Sequence, residues 1–206
     1  DYDGTSWTGI TAMPTATWIP SGTGTASAAL SSGGTTPSGA STTQTLEWDN
    51  SSWTTGGALS TGRRYFAGFG SQTDSIAPGG TTAPGAITAV TEKYNGSSWT
   101  SGNSMVSNLR AHATSAQSST SVGLNMNGTI DDSNSTNQTF EYDGTSWRTN
   151  ANSAATRLEA FGIGDSTSAH VIGGISPWPS PGAVVTSTEL ISPETTALKV
   201  KPLTQS

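Results

Sequence analysis

The sequence predicts an all-β protein assembled from about four copies of one antiparallel unit, on three observations. An aromatic cassette recurs every 46 to 48 residues, glycine pairs recur in phase with it, and no stretch carries the 3.6-residue periodicity of an amphipathic helix.

The cassette reads DYDGTSWT from Asp1, EWDNSSWT from Glu47, EKYNGSSWT from Glu92 and EYDGTSWR from Glu141. Its leading aromatics Tyr2, Trp48, Tyr94 and Tyr142 are 46, 46 and 48 residues apart, and Trp7, Trp53, Trp99 and Trp147 keep the same steps. A worn fifth copy, TELIS, places Leu190 another 48 residues along. The glycine pairs are Gly33–Gly34, Gly79–Gly80 and Gly173–Gly174, with Asn127–Gly128 in the third unit. Gly34, Gly80 and Gly128 each precede the next leading aromatic by 14 residues, and Gly174 precedes Leu190 by 16. A Ser/Thr/Gly-rich linker has no reason to hold two unrelated features in phase, so the repeat is a structural unit.

Within each unit, Thr42 to Trp48, Ala86 to Tyr94 and Ser135 to Tyr142 mix Thr, Val, Ile and aromatics in rough alternation, as a strand with one buried face does. Asp3–Gly4, Asn95–Gly96 and Asp143–Gly144 follow these strands and predict a two-residue hairpin turn with positive φ at both centres. Each cassette therefore puts its aromatic and its Trp on paired neighbouring strands. The glycine pairs are expected to end an earlier strand, where the backbone bends or another chain segment comes close. AGFG at 67–70 and FGIG at 161–164 suit the crowded inner end of radially arranged sheets. One unit cannot bury its own aromatic face, and stacked units can, each large ring removing about 150–250 Å² from water. Tyr2, Trp7, Trp48, Trp53, Tyr94, Trp99, Tyr142 and Trp147 are thus the expected repeat core, with Gly33, Gly34, Gly79, Gly80, Gly128, Gly173 and Gly174 as structural turns.

Composition narrows the function classes. Only 32% of the 206 residues are hydrophobic, but the charged fraction is 11% and the net charge −6, too weak to hold a chain open by repulsion. The acidic balance, with Arg63–Arg64 the one adjacent basic pair, disfavours nucleic acid as a partner. No apolar run reaches the roughly 20 residues a membrane helix needs. Without cysteine there is no disulfide, thiolate metal site or thiol nucleophile.

A glycine pair, then a Tyr, then a Trp, repeated at about 47 residues, resembles the kelch motif. The resemblance implies a β-propeller of four-stranded antiparallel blades over nearly the whole chain. The interval from Tyr2 to Trp7 is shorter than in most kelch repeats, which implies a tighter outer hairpin. Blade units are expected at about 9–55, 56–101, 102–149 and 150–206, in one array spanning 1–206, with 1–8 the end of a preceding blade. Because both ends offer a fourth strand, the last around Thr196 to Lys201, the reading favoured is the C-terminal portion of a longer propeller. The YDGTSWT cassette is also similar to kelch-like repeats in fibre and structural proteins of tailed bacteriophages, marine ones in particular.

Enzyme chemistry finds little to use. The copper oxidases that share the kelch fold need a cysteine-modified Tyr, and cysteine is absent. Sialidase propellers carry an Asp-box with one residue between Asp and Gly, whereas Asp3–Gly4 and Asp143–Gly144 are adjacent. Arg64, Arg110 and Arg157 stand at near-equivalent repeat positions, which favours a structural role over a carboxylate clamp. His112 and His170 lie in different units, so a relay or zinc site is not expected. Asp131-Asp132-Ser133-Asn134 lacks the acidic alternation of a calcium loop and reads as a polar loop. The sequons at Asn50, Asn95, Asn127, Asn134 and Asn137 follow from turn chemistry in a Ser/Thr-rich chain.

Two tryptophans outside the cassette, Trp18 in TATWIP and Trp178 in SPWPSP, are the candidate binding residues, because a loop ring flanked by proline suits stacking on a sugar or anchoring a partner. The expectation is a non-enzymatic virion protein without cofactor or metal, at the virion surface, whose partners are host surface glycans or receptors and neighbouring subunits, a homo-oligomer included. A cellular kelch-type interaction module is the alternative, and a glycan-active propeller enzyme a weaker one.

Overall fold

A computed structural model describes residues 2–115, 120–131, 133–176, 183–191 and 201–202. It is all-β, with no helix among the described residues, and its four four-stranded antiparallel sheets stand as blades around one axis. The first blade holds β1 (Ser21–Thr25), β2 (Ala28–Ser32), β3 (Thr45–Trp48) and β4 (Trp53–Thr55). A short pair, β5 (Arg63–Arg64) and β8 (Thr81–Thr82), stands beside the second blade, which holds β6 (Phe69–Gly70), β7 (Ser75–Pro78), β9 (Thr91–Tyr94) and β10 (Trp99–Ser101). The third holds β11 (Ala113–Thr114), β12 (Gly123–Met126), β13 (Thr139–Tyr142) and β14 (Trp147–Asn150). The fourth holds β15 (Phe161–Gly164), β16 (Ala169–Ile172), β19 (Thr188–Ile191) and β20 (Lys201–Pro202), with β17 (Ile175–Ser176) and β18 (Ala183–Val184) as a side pair.

Trp48 pairs with Trp53, Tyr94 with Trp99 and Tyr142 with Trp147 across β3–β4, β9–β10 and β13–β14, as the cassette predicts. Their rings lie 4.9 to 5.3 Å apart. The turn between them differs from the two-residue form expected. Four residues separate each pair, and only one has positive φ: Gly4, Asn50, Gly96 or Gly144. The leading Asp or Asn side chain replaces the second left-handed residue. Asp143 Oδ1 accepts the N–H groups of Thr145 at 2.9 Å and Ser146 at 2.7 Å, and Asp49 and Asn95 hold their own turns alike. These bonds favour the ionised carboxylate and lower the pKa of Asp49 to about 2.

The glycine pairs end the second strand of each blade, both residues at positive φ, and Asn127 adopts the same conformation at 61°. A Cβ on Gly33 would stand 2.5 Å from the Arg63 carbonyl of the next blade, so glycine is required there by contact as well as by conformation.

Pairing corrects one landmark. Ile191, not Leu190, opposes Ala169, as Tyr94 opposes Ser75 and Tyr142 opposes Gly123. Ile191 is buried in the position of the cassette aromatic, and the extra residues fall between Gly174 and β19.

Two of the four junctions are closed by the same device. Trp99 Nε1 donates to Thr45 Oγ1 of the preceding blade at 2.9 Å, and Trp147 Nε1 to Thr91 Oγ1 at 2.9 Å. Tyr94 adds a hydroxyl bond to Glu47, and burial followed by that carboxylate pushes its pKa up to about 12. Nearer the axis, Thr114 Oγ1 bonds the Gly68 carbonyl at 3.0 Å, and a Cβ on Gly162 would meet the Thr114 carbonyl at 2.1 Å. The junction between the fourth and first blades is wider. A Cβ on Gly22, the residue in register with Gly68 and Gly162, would meet nothing within 4 Å.

Trp48, Tyr94, Tyr142 and Trp147 are buried, while Trp53 and Trp99 are half-buried. Tyr2 and Trp7 depart from the core expectation at 52% and 80% exposure. They form the same stacked pair, 5.1 Å between centroids, but their hairpin is an isolated bridge with no sheet behind it.

Candidate binding face

Ahead of each innermost strand the chain makes one left-handed residue, at Ile19, Tyr65, Ala111 and Glu159, with φ from 46° to 57°. None is glycine, so each costs of order 1–3 kcal/mol and persists because the surroundings over-determine it. Backbone hydrogen bonds supply that constraint at Tyr65, Ala111 and Glu159. The Ala111 N–H donates to the Tyr65 carbonyl at 2.8 Å, and the Glu159 N–H to the Ala111 carbonyl at 3.0 Å, joining the second, third and fourth blades in a collar.

The residue before each collar position is bridged to the segment that follows a glycine pair. Trp18 pairs with Thr35, Arg64 with Thr81, Arg110 with Thr129 and Leu158 with Ile175. The face around the axis thus presents Trp18, Arg64 and Arg110 in one register, with Leu158 buried at the fourth position. Trp18 is 65% exposed although its backbone is fixed on both sides, its N–H donating to Thr35 at 2.8 Å and its carbonyl accepting from Thr35 at 2.9 Å. Between the two arginines stands Tyr65, with Arg64 Cζ 5.8 Å and Arg110 Cζ 5.5 Å from its ring centroid, within cation–π range. Arg64 also reaches the Gly39 carbonyl of the first blade at 3.1 Å.

Beneath the collar is an axial cavity of about 200 Å³ lined by β1, β11 and β15, by Ala67 and Gly68 just ahead of β6, and by Phe66 and His112. His112 is buried, its Nε2 3.3 Å from the Ala67 carbonyl and its Nδ1 without a partner among the described residues. Burial chiefly, with the nearby Arg63 charge, lowers its pKa to about 4, so the ring is neutral at pH 7.

The two buried arginines belong to the scaffold. Arg63 Nη2 lies 2.7 Å from Glu92 Oε2, and its other guanidinium nitrogen bonds the carbonyls of Gly79 and Val90. Arg157 repeats this cradle with Glu189 at 2.7 Å and the carbonyls of Gly173 and Ser187. Arg157 is therefore the counterpart of Arg63, and only Arg64 and Arg110 share a register among the three arginines grouped from sequence.

Of the sequence-derived binding residues, Trp18 lies on this face, and Trp178 lies outside the described residues. Sequence reading missed Tyr65 with its flanking arginines. The signal was RRY at 63–65 against LRA at 109–111, in step with the cassette. Among the described residues no group of three His, Asp or Glu side chains could hold a metal ion. Asp131 Oδ1 instead accepts the N–H groups of Ser133 and Asn134 at 2.7 and 2.8 Å, which makes a polar turn.

No protein-family model matches the chain, and no curated protein sequence matches it. Among solved structures it is similar to the one described as "Structure of YjhT", with a TM-score of 0.75 at 13% identity over 96% of this chain and 67% of that one. A likeness at that identity is one of fold, and it agrees with the four-bladed propeller arrangement.

Proposed function

We propose that this chain is a non-enzymatic, kelch-like binding propeller of a phage virion, a fibre or surface-decorating component that presents its collar face to host surface glycans. The observation that carries the reading is Trp18, an indole two-thirds exposed on a backbone locked by two hydrogen bonds. A rigid exposed aromatic binds a sugar face or a partner at little entropic cost. The similarity of the YDGTSWT cassette to repeats of phage fibre proteins supplies the virion context.

The Arg64–Tyr65–Arg110 stack favours a second reading, a protein-interaction module, since Tyr, Trp and Arg are the residue types of interface hot spots. A glycan panel probed with the wild-type chain and with Trp18→Ala separates the two. Binding lost in Trp18→Ala, together with the chain's presence in purified virions, supports the first. Retained glycan binding, or recovery of the chain only in cellular protein complexes, overturns it.

A further inference from the structure

The chain contains two Asn–Gly steps, Asn95–Gly96 and Asn127–Gly128, and the fold places their side chains in opposite settings. In such a step the glycine carries no Cβ, so its peptide nitrogen is free to approach the preceding side-chain carbonyl carbon. Asn127 is fully buried, and its Nδ2 donates to the Thr136 carbonyl at 3.3 Å, to Ser153 Oγ at 2.8 Å and to the Ala155 carbonyl at 2.8 Å. Asn95 is exposed in the turn between β9 and β10, and among the described residues neither its Nδ2 nor the Gly96 N–H has a hydrogen-bond partner. Asn95 Oδ1, by contrast, accepts the Ser97 N–H at 3.0 Å, the Ser97 hydroxyl at 3.0 Å and the Ser98 N–H at 2.9 Å. These donors polarise the side-chain carbonyl and stand where an oxyanion forms when a nucleophile adds to it, as donors aimed at developing charge do in acyl transfer.

We propose that Asn95–Gly96 is a self-modifying site, at which the folded chain converts the Asn95 amide into an aspartate with water as the only co-reactant. The Gly96 nitrogen bonds to Asn95 Cγ, its proton passes through water to Nδ2, the Cγ–Nδ2 bond breaks and ammonia leaves a cyclic imide. Water then adds to the same Cγ, which the Ser97 and Ser98 N–H groups face. The Gly96 N–Cγ bond breaks, the Gly96 nitrogen regains a proton, and the new carboxyl group ionises. The product suits the turn better than the reactant does. Asp3, Asp49, Asp143 and Asp165 each accept the same two N–H groups in their own turns, and Asn95 is the exception among them. A carboxylate at 95 makes charge-assisted bonds where the amide makes neutral ones. It also adds one negative charge to a chain of net charge −6.

Peptide mapping by mass spectrometry, after the native 206-residue chain has aged at mildly alkaline pH in water labelled with heavy oxygen, tests this. Asn95 should become labelled aspartate at least about a hundred-fold faster than Asn127, whose three hydrogen bonds must open first. In urea the two steps should react at like rates, because neither is then held. Ser97→Ala removes one Oδ1 donor at an exposed position and should slow Asn95 several-fold in the native chain but not in urea. Asn95→Asp, the product itself, should keep the near-ultraviolet dichroism of the wild type and denature no earlier at neutral pH. An Asn95 that reacts in urea but not in the native chain, equal native rates at the two steps, or a Ser97→Ala rate equal to that of the wild type overturns the proposal. So does isoaspartate as the main product, or an Asn95→Asp chain less stable than the wild type.

Discussion

Phe69 and Gly123 face each other across the junction of the second and third blades so closely that a Cβ on the glycine would stand 2.4 Å from the Phe69 ring. The ring sits on bare backbone and reaches Tyr142 and Trp147 from there. At the junction of the fourth and first blades the same register sets Ile163 against Ala29, a smaller knob over a larger floor.

Gly123→Ala should therefore cost about 1–3 kcal/mol by overpacking, and Phe69→Ala about 3–5 kcal/mol by opening a cavity. The double variant Phe69→Leu with Gly123→Ala should lose less than the sum of its parts, because one change relieves the other. Urea denaturation of the wild type, Gly123→Ala, Phe69→Leu and the double variant measures this, and strict additivity would disprove the knob-and-floor account.

A second substitution experiment is already written in the repeat. Arg63 and Glu92 form a buried ion pair in the second blade, and the same register in the third holds Leu109 and Phe140, both fully buried. Removing one charge strands the other, so Arg63→Leu should cost about 3–5 kcal/mol. Arg63→Leu with Glu92→Phe should return to within about 2 kcal/mol of the wild type, since an apolar pair of that shape already fits this architecture. A double-mutant cycle by chemical denaturation reads the coupling, and a double variant no more stable than Arg63→Leu would refute it.

That alternation marks what could be read without coordinates and what could not. The blade count, the strand pairing of Tyr94 with Trp99 and the bends at the glycine pairs follow from local chemistry repeated in register, so periodicity exposes them. Ile191 escaped because a β-branched residue replaces the aromatic and the spacing lengthens by a few residues, leaving only the pairing with Ala169 to identify it. Arg63 and Arg64 are adjacent and alike in type, yet β pairing sends one into the core and the other to the rim. The collar escaped for a different reason. Its left-handed residues Ile19, Tyr65, Ala111 and Glu159 share no side-chain chemistry, and Tyr65, Ala111 and Glu159 are joined by backbone hydrogen bonds between blades.

Stability should fall with pH in a window set by His112. Its folded pKa is lowered to about 4, while the unfolded ring titrates near 6.5. Below about pH 6.5 the unfolded chain takes up a proton that the folded one refuses. The stabilisation is thus complete above that pH, shrinks as pH drops and stops shrinking once the folded ring also protonates. The loss is of order 3 kcal/mol from the size of the shift. His112→Phe should abolish this slope, and Phe66 shows that a phenyl ring fits the equivalent place, buried in the second blade. A slope that survives His112→Phe between pH 6.5 and 4 would assign the effect to another group. The turn carboxylates, Asp49 among them, add their own loss only in stronger acid, because their pKa is lowered.

Three threonines in one register should answer the same substitution with opposite signs. Thr45 and Thr91 each accept an indole N–H from the next blade at 2.9 Å, whereas the buried Thr139 hydroxyl has no partner among the described residues. Thr91→Val leaves the Trp147 indole, buried in the wild type, without an acceptor and should cost about 1–3 kcal/mol. Thr45→Val should cost less, because Trp99 is only half-buried and water can replace the bond. Thr139→Val removes an unsatisfied buried hydroxyl at nearly constant shape, so it should be neutral or stabilising by about 1 kcal/mol. Denaturation midpoints of the three variants decide the matter. A loss at Thr139 equal to that at Thr91 would mean that its hydroxyl is bonded after all and that the junction of the third and fourth blades is strapped like the two before it.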